Sequence, residues 1–299
     1  MIPALLGLGL GIVLRLAPGD RATWMAPLTR SLIYVFYPTL IFSSILASYE
    51  KETILAGLYL PFASFVIMLV GFGFGALWAR GRPQDSAPQR GTLRFACTMN
   101  NYVFLPLLIV EPLWGSAGTA AVVLAALGGD IAVWGFGVSC FPNSGGRLTR
   151  LLNPPIVTLV ASILIVMSGS APWFQGSVDL VSWLSWPAKL ALPVAMLVLG
   201  FYLAGVSVAQ LKTGLVWQVA AYRLVLMPAL TVLVLSMVSL PSHIEGVILL
   251  ISAMPVAMAT VFLGEAFGGD GERAAGLVLL SHLVAIVTTP AWLLLLGYQ

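Results

Sequence analysis

Cys97-Thr98-Met99-Asn100-Asn101-Tyr102-Val103-Phe104-Leu105-Pro106 sets two amides, a hydroxyl and a proline in the middle of an otherwise apolar segment. Ile251-Ser252-Ala253-Met254-Pro255-Val256-Ala257-Met258-Ala259-Thr260 repeats the arrangement, again with a central proline. Proline lacks a backbone N–H and disfavours helix at the residue before it, so each stretch reads as a broken helix. A break presents an N-terminus, which attracts anions, facing a C-terminus, which attracts cations. Two crossing breaks make an anion site with few formal charges. Its candidate substrate contacts are Thr98, Asn100, Asn101, Tyr102, Pro106, Met254, Pro255 and Thr260.

The surrounding chain places these breaks in a membrane. Of 299 residues, 60% are hydrophobic and 8% are charged, against about 25% charged in a soluble domain. That excludes a soluble globular fold and implies an all-helical polytopic membrane protein. Cys97 and Cys140 sit in apolar surroundings and form neither a disulfide framework nor a metal-ligand spacing. Met1 to Leu10 carries no basic residue, so no signal peptide is expected.

A membrane span takes roughly 20 apolar residues, and charged or Gly/Pro/Ser-rich punctuation separates ten of them: 2–17, 28–48, 53–78, 92–110, 118–141, 154–168, 180–203, 214–240, 244–267 and 274–296. Arg15, Arg21, Arg30, Arg80, Arg82, Arg90, Arg94, Arg147, Arg150, Lys212 and Arg273 fall at alternate connections, with only Lys51 opposite. The positive-inside rule then puts both termini outside a cell or inner membrane. The basic residues are scattered over short loops, which argues against a nucleic-acid partner.

Sliding the chain on itself by about 155 residues sets Met99, Asn101 and Glu111 opposite Met254, Pro255 and Glu265, the kind of internal repeat on which transporter folds are built. Pro38 falls opposite Pro193. Spans 3 and 8 match poorly, with Pro61 and Pro228 out of register. Five spans per copy is odd, so the second copy enters the membrane inverted. The expected units are residues 1–152 and 153–299, with spans 4 and 9 as the broken, crossing helices.

These residues resemble the auxin efflux carrier family, which includes plant carriers of auxin and bacterial carboxylate carriers. The resemblance runs through Tyr37-Pro38-Thr39-Leu40-Ile41-Phe42, Asn101-Tyr102-Val103-Phe104-Leu105, Asn153-Pro154-Pro155 and Leu192-Pro193-Val194-Ala195. It continues through Arg223-Leu224-Val225-Leu226-Met227-Pro228 and Ala253-Met254-Pro255 to Gly269-Asp270. It implies a ten-helix secondary carrier similar in plan to sodium–proton antiporters and bile-acid symporters. Spans 1, 2, 6 and 7 would form a scaffold and spans 3–5 and 8–10 a mobile core. Asn101 and Pro255 match the family's span-4 asparagine and span-9 proline. Leu108 stands where the family usually has its span-4 proline, Pro106 where it has glycine, and Met258 where it often has asparagine.

Asp130 is an ionisable group within a span, by default a functional candidate; it is read as a proton or cation coupling group, against a structural pair with Arg223 or Lys189. His282 falls close to its repeat equivalent and could share a proton relay, against a satisfied core histidine. Glu265 and Arg223 complete the candidate coupling and gating set. No metal or other cofactor is expected, proton coupling is compatible with the sequence, and sodium is not evident.

The leading function is therefore secondary transport of a small organic anion by alternating access, with the bilayer as partner and a homodimer compatible with the scaffold surface. The alternative is a sodium-coupled symporter or cation/proton antiporter of the same plan. An enzyme is not expected: Gly128-Gly129-Asp130 resembles an intramembrane aspartyl protease signature, but that signature needs glycine at position 127, which is Leu127.

Overall fold

The computed structural model describes residues 2–17, 22–48, 50–51, 55, 57–146, 154–176, 178–295 and 297. Arg21, Arg147, Arg150, Asn153 and the side chain of Glu111 lie outside the described residues. The described residues are helical throughout, apart from connecting turns and one isolated β-bridge.

The first half contains α1 (Ile2–Leu16), α2 (Ala22–Ser31), α3 (Tyr37–Ser48), α4 (Tyr59–Arg80), α5 (Ala87–Thr98) and α6 (Phe104–Gly135). The second contains α7 (Pro154–Met167), α8 (Ala171–Gly176), α9 (Val178–Leu203), α10 (Val208–Leu211), α11 (Gly214–Ala221), α12 (Met227–Leu235), α13 (Ser242–Ser252), α14 (Ala259–Phe267) and α15 (Gly271–Leu295). Among the described residues, five stretches are long and apolar enough to cross a bilayer: Tyr59–Arg80, Ala117–Cys140, Trp186–Leu203, Gly214–Leu235 and Gly271–Leu295. The other expected spans are shorter or interrupted. At 1.5 Å per residue, the 15 residues of α1 rise about 22 Å, less than the roughly 30 Å hydrocarbon core.

Two spans change helical pitch just before a proline. α2 passes through a π-helical turn, Leu32–Phe36, into α3 and Pro38, and α11 passes through Tyr222–Leu226 into α12 and Pro228. A proline ring clashes with the carbonyl four residues back and leaves it without a donor; the wider π turn relieves the clash. For Pro228 the orphan is the carbonyl of Leu224, and Trp292 Nε1 donates to it at 2.8 Å.

α5 begins at Ala87, five residues before the span expected from hydropathy. Ser86 caps it with a reciprocal box, its backbone N–H reaching Gln89 Oε1 at 2.9 Å and its hydroxyl accepting from the Gln89 N–H, and satisfied donors let a polar first turn stay helical. α6 joins two helical directions at Gly115, whose φ of 57° is the left-handed region that glycine enters without cost.

The helices pack as two sets. α1 lies against α9, and α3 against α7 and α9; α4 lies against α5 and α6, α13 against α6 and α12, and α15 against α11 and α14. Small residues set the first contact. A Cβ added at Gly7 or Gly11 would fall 2.3 Å from the Pro193 carbonyl oxygen or 2.1 Å from that of Leu197, the close backbone approach of a small-xxx-small helix pair.

Candidate functional site

The polypeptide is extended between α5 and α6 and between α13 and α14, and the two interruptions meet. Asn100 and Val256 form an antiparallel bridge, with Asn101 N–H donating to the Pro255 carbonyl at 2.9 Å and Ala257 N–H to that of Met99 at 3.0 Å. Pro106 is the third residue of α6, where a missing N–H costs nothing because the first turn has no intrahelical acceptor. The break therefore precedes it, at residues 99–103.

Interrupting a helix in an apolar medium strands backbone groups that must be satisfied inside the protein. Val256 N–H donates to Ser281 Oγ at 3.2 Å, and Thr289 Oγ1 to the Ala253 carbonyl at 3.4 Å. Asn100 Nδ2 donates to the Ile251 carbonyl near the end of α13. Arg223 Nη1 donates to the Cys97 carbonyl at 3.0 Å, near the end of α5, where the helix dipole favours a cation. Arg223 is fully buried, and its place is a helix C-terminus, not an ion pair with Asp130.

A cavity of about 380 Å³ opens beside the bridge. The interruptions contribute Asn100, Asn101 and Tyr102 on one side and Ala257 and Met258 on the other; α6 contributes Leu127 and Asp130; α3 and α9 close it with Tyr37, Ile41, Ala195 and Met196. The first turns of α6 and α14 also border it, through Val103, Leu107, Ala259 and Phe262. Of its ionisable lining groups Asp130 is the one carboxylic acid, and among the described residues no lysine, arginine or histidine lines it.

Asp130 faces two phenols. Tyr102 donates to its Oδ1 at 2.7 Å and Tyr37 to the same oxygen at 3.1 Å, while the two hydroxyls stand 3.5 Å apart. Glycines make the approach possible. A Cβ at Gly129 would lie 2.5 Å from the Tyr102 ring, and one at Gly128 would lie 1.9 Å from the Pro61 carbonyl oxygen. Gly128 thus seats α6 on α4, and Gly129 lets the Tyr102 ring lie against the helix that carries Asp130.

Asn101 leads from the cavity to His282 on α15. Its Nδ2 is 3.2 Å from His282 Nε2, and His282 Nδ1 is 2.8 Å from the Val278 carbonyl oxygen. A carbonyl only accepts, so Nδ1 carries the proton of the neutral ring and Nε2 accepts from Asn101. Of the remaining candidates, Thr98, Met254, Pro255 and Thr260 are buried behind the bridge and do not line the cavity. Glu265 lies apart, outside the cavity lining. The site thus gathers Asn100, Asn101, Tyr102 and Asp130, with His282 one bond away. Tyr37 was missed as a site residue: it enters the sequence reading only as part of the stretch that carries the family resemblance, and nothing local shows that it faces an acid 93 positions away.

A sequence profile described as membrane transport protein matches residues 24–163 and 146–293. The chain belongs to this family, the auxin efflux carrier family. The transport protein is similar to an uncharacterized transporter of Methanocaldococcus jannaschii, 26% identical over 89% of this chain and 87% of the relative. It is also similar to an uncharacterized transporter of Methanothermobacter thermautotrophicus, 25% identical over 98% and 94%. Family and relatives are transporters, and with the apolar helices they place the chain in a membrane.

Proposed function

We propose that the protein is a ten-span secondary carrier of a small organic anion, built from inverted repeats 1–152 and 153–299, with both termini outside and no resident cofactor. The observation that carries this reading is the position of the cavity. It lies between the α3/α9 set, the proposed scaffold, and the set holding both interruptions, the proposed core. Motion of one set against the other would expose it to alternate sides. Its volume suits a small ligand, and the N-terminal turns of α6 and α14 offer positive dipole ends to a carboxylate.

The charges lining the cavity narrow the substrate. An organic anion about 5 Å from an ionised Asp130 meets a repulsion of roughly 3 kcal/mol at an effective dielectric of 20, and among the described residues no cationic side chain in the lining offsets it. The substrate is then a monoanion, such as a monocarboxylate, that binds when Asp130 holds a proton. Anion and proton cross together without net charge. Protonation of His282 acts in the same sense: Nε2 becomes a donor, the Asn101 amide turns its oxygen to it, and the amide N–H groups face the cavity.

The test is uptake into proteoliposomes, against protein-free vesicles, with a panel of mono- and dicarboxylates, an internal pH dye, and charge movement recorded on a solid-supported membrane. The expected result is sodium-independent acidification driven by a monocarboxylate with little current. Asp130→Asn should move the same anion with current and without acidification. A sodium requirement, or no movement of any panel member, overturns the reading.

A further inference from the structure

A second cavity, of about 410 Å³, lies at the opposite end of α5 from the bridge. Its walls are two helical faces and a turn. From α4 come Ala76, Ala79 and Arg80; from α5 come Ala87, Arg90, Gly91 and Arg94, spaced i, i+3, i+4, i+7 along one face; Ser139 to Pro142 close it. Alanines and a glycine leave the hollow, and three arginines converge on it, with no acid in the lining among the described residues.

Two observations separate this from arginines merely solvated at a membrane surface. Arg94 Nε is buried with no hydrogen-bond partner, although its guanidinium is held 5.4 Å over the Phe72 ring; a buried orphan donor in a native protein calls for a ligand, water or ion. The nearby acid is already taken. Asp85 Oδ2 bonds Arg273 at 2.7 Å and Arg82 at 3.0 Å, and Arg90 uses the Asp85 backbone carbonyl instead. The first turn of α5 adds its positive dipole end at the same rim.

We infer that this pocket binds a phosphate group, through Arg80, Arg90 and Arg94. Arginine suits the task because its planar donors pair bidentately with phosphate oxygens. The phosphate is either an anionic phospholipid headgroup, since the apolar helix α4 ends at the pocket in Arg80, or a soluble phosphate compound. The site is separate from the transport cavity and does not depend on what the protein carries.

The experiment measures thermal unfolding of the full chain in nanodiscs of three kinds: phosphatidylcholine, phosphatidylcholine with phosphatidylglycerol, and phosphatidylcholine with inorganic phosphate added against chloride of equal ionic strength. Wild type should melt higher in at least one phosphate-bearing arm. A shift with phosphatidylglycerol alone assigns the lipid; a shift with inorganic phosphate assigns a soluble anion. In Arg90→Gln/Arg94→Gln the shift should vanish. Arg80→Gln, altering an exposed residue, keeps the test open if the double variant does not fold, and should need about fivefold more ligand for the half-maximal shift. No shift in either arm, equal shifts in wild type and the double variant, or an Arg80→Gln curve identical to wild type overturns the inference.

Discussion

Tyr102 donates its hydroxyl to Asp130 at 2.7 Å, and this bond joins one of the two helix interruptions to the carboxylate in the cavity wall. Tyr37 reaches the same oxygen from α3, in the other set of helices. A contact that spans both sets must change if they move, so Tyr37→Phe should alter transport rate more than substrate affinity. Losing one hydrogen bond to a charged acceptor is worth about 1.5–3 kcal/mol, which sets the rate change at about 10- to 100-fold. Single-turnover uptake compared with ligand binding in detergent checks it; equal loss of both would place Tyr37 at the substrate.

Asn101→Ala removes the amide between cavity and His282. Substrate affinity should fall by about 10-fold or more with folding and membrane level retained. His282→Gln should weaken affinity less and flatten its pH dependence, because glutamine cannot take up the second proton. Binding isotherms at several pH values check both, and unchanged affinity in Asn101→Ala removes the bridge from the substrate site.

Gly129→Ala inserts a methyl where the Tyr102 ring lies 2.5 Å away. The ring must move, breaking its bond to Asp130, so the variant should lose activity as Tyr102→Phe does and lose about 1–3 kcal/mol of stability to overpacking. Wild-type activity in Gly129→Ala would mean the Tyr102–Asp130 bond is dispensable.

Trp292→Phe should destabilise by about 1–3 kcal/mol, the cost of a buried carbonyl left unpaired, because the Leu224 carbonyl has lost its helical donor to Pro228 and depends on the indole. Denaturant titration in micelles measures this. Thermal stability unaffected by the change would show another donor at Leu224.

Asp85 tests the loop region. Its hydrogen bond from Arg273 holds the carboxyl below its ordinary value of 3.8, against the opposing effect of burial, and Arg82 adds to the lowering. A depressed folded-state pKa contributes stability above the unfolded-state value and loses it as pH falls through the folded value. Asp85→Asn should therefore melt below wild type at neutral pH, with the gap closing only below about pH 4.

Much of the architecture follows from composition alone. Apolar runs, a proline in each of two polar-spotted segments and the placement of arginines were enough to read a helical membrane protein with interrupted helices, because lipid leaves a backbone few alternatives. Asn101 and Asp130 stand out as candidates for the same reason: a polar group within an apolar run is costly and needs a partner. The partners of these groups were not legible. Asp130 reads as a coupling group, with a pair to Arg223 or Lys189 as the alternative; in the folded chain it meets two tyrosines, and Arg223 caps α5. The Gly128-Gly129-Asp130 run, set aside as a failed protease signature, is a packing surface for Pro61 and Tyr102. Hydropathy reports the cost of putting each residue in lipid and therefore places helices. Which carbonyl a proline orphans, which indole supplies the missing donor and which phenol reaches a carboxylate 93 residues away depend on how helices lie against one another, and that geometry exists only once the chain has packed.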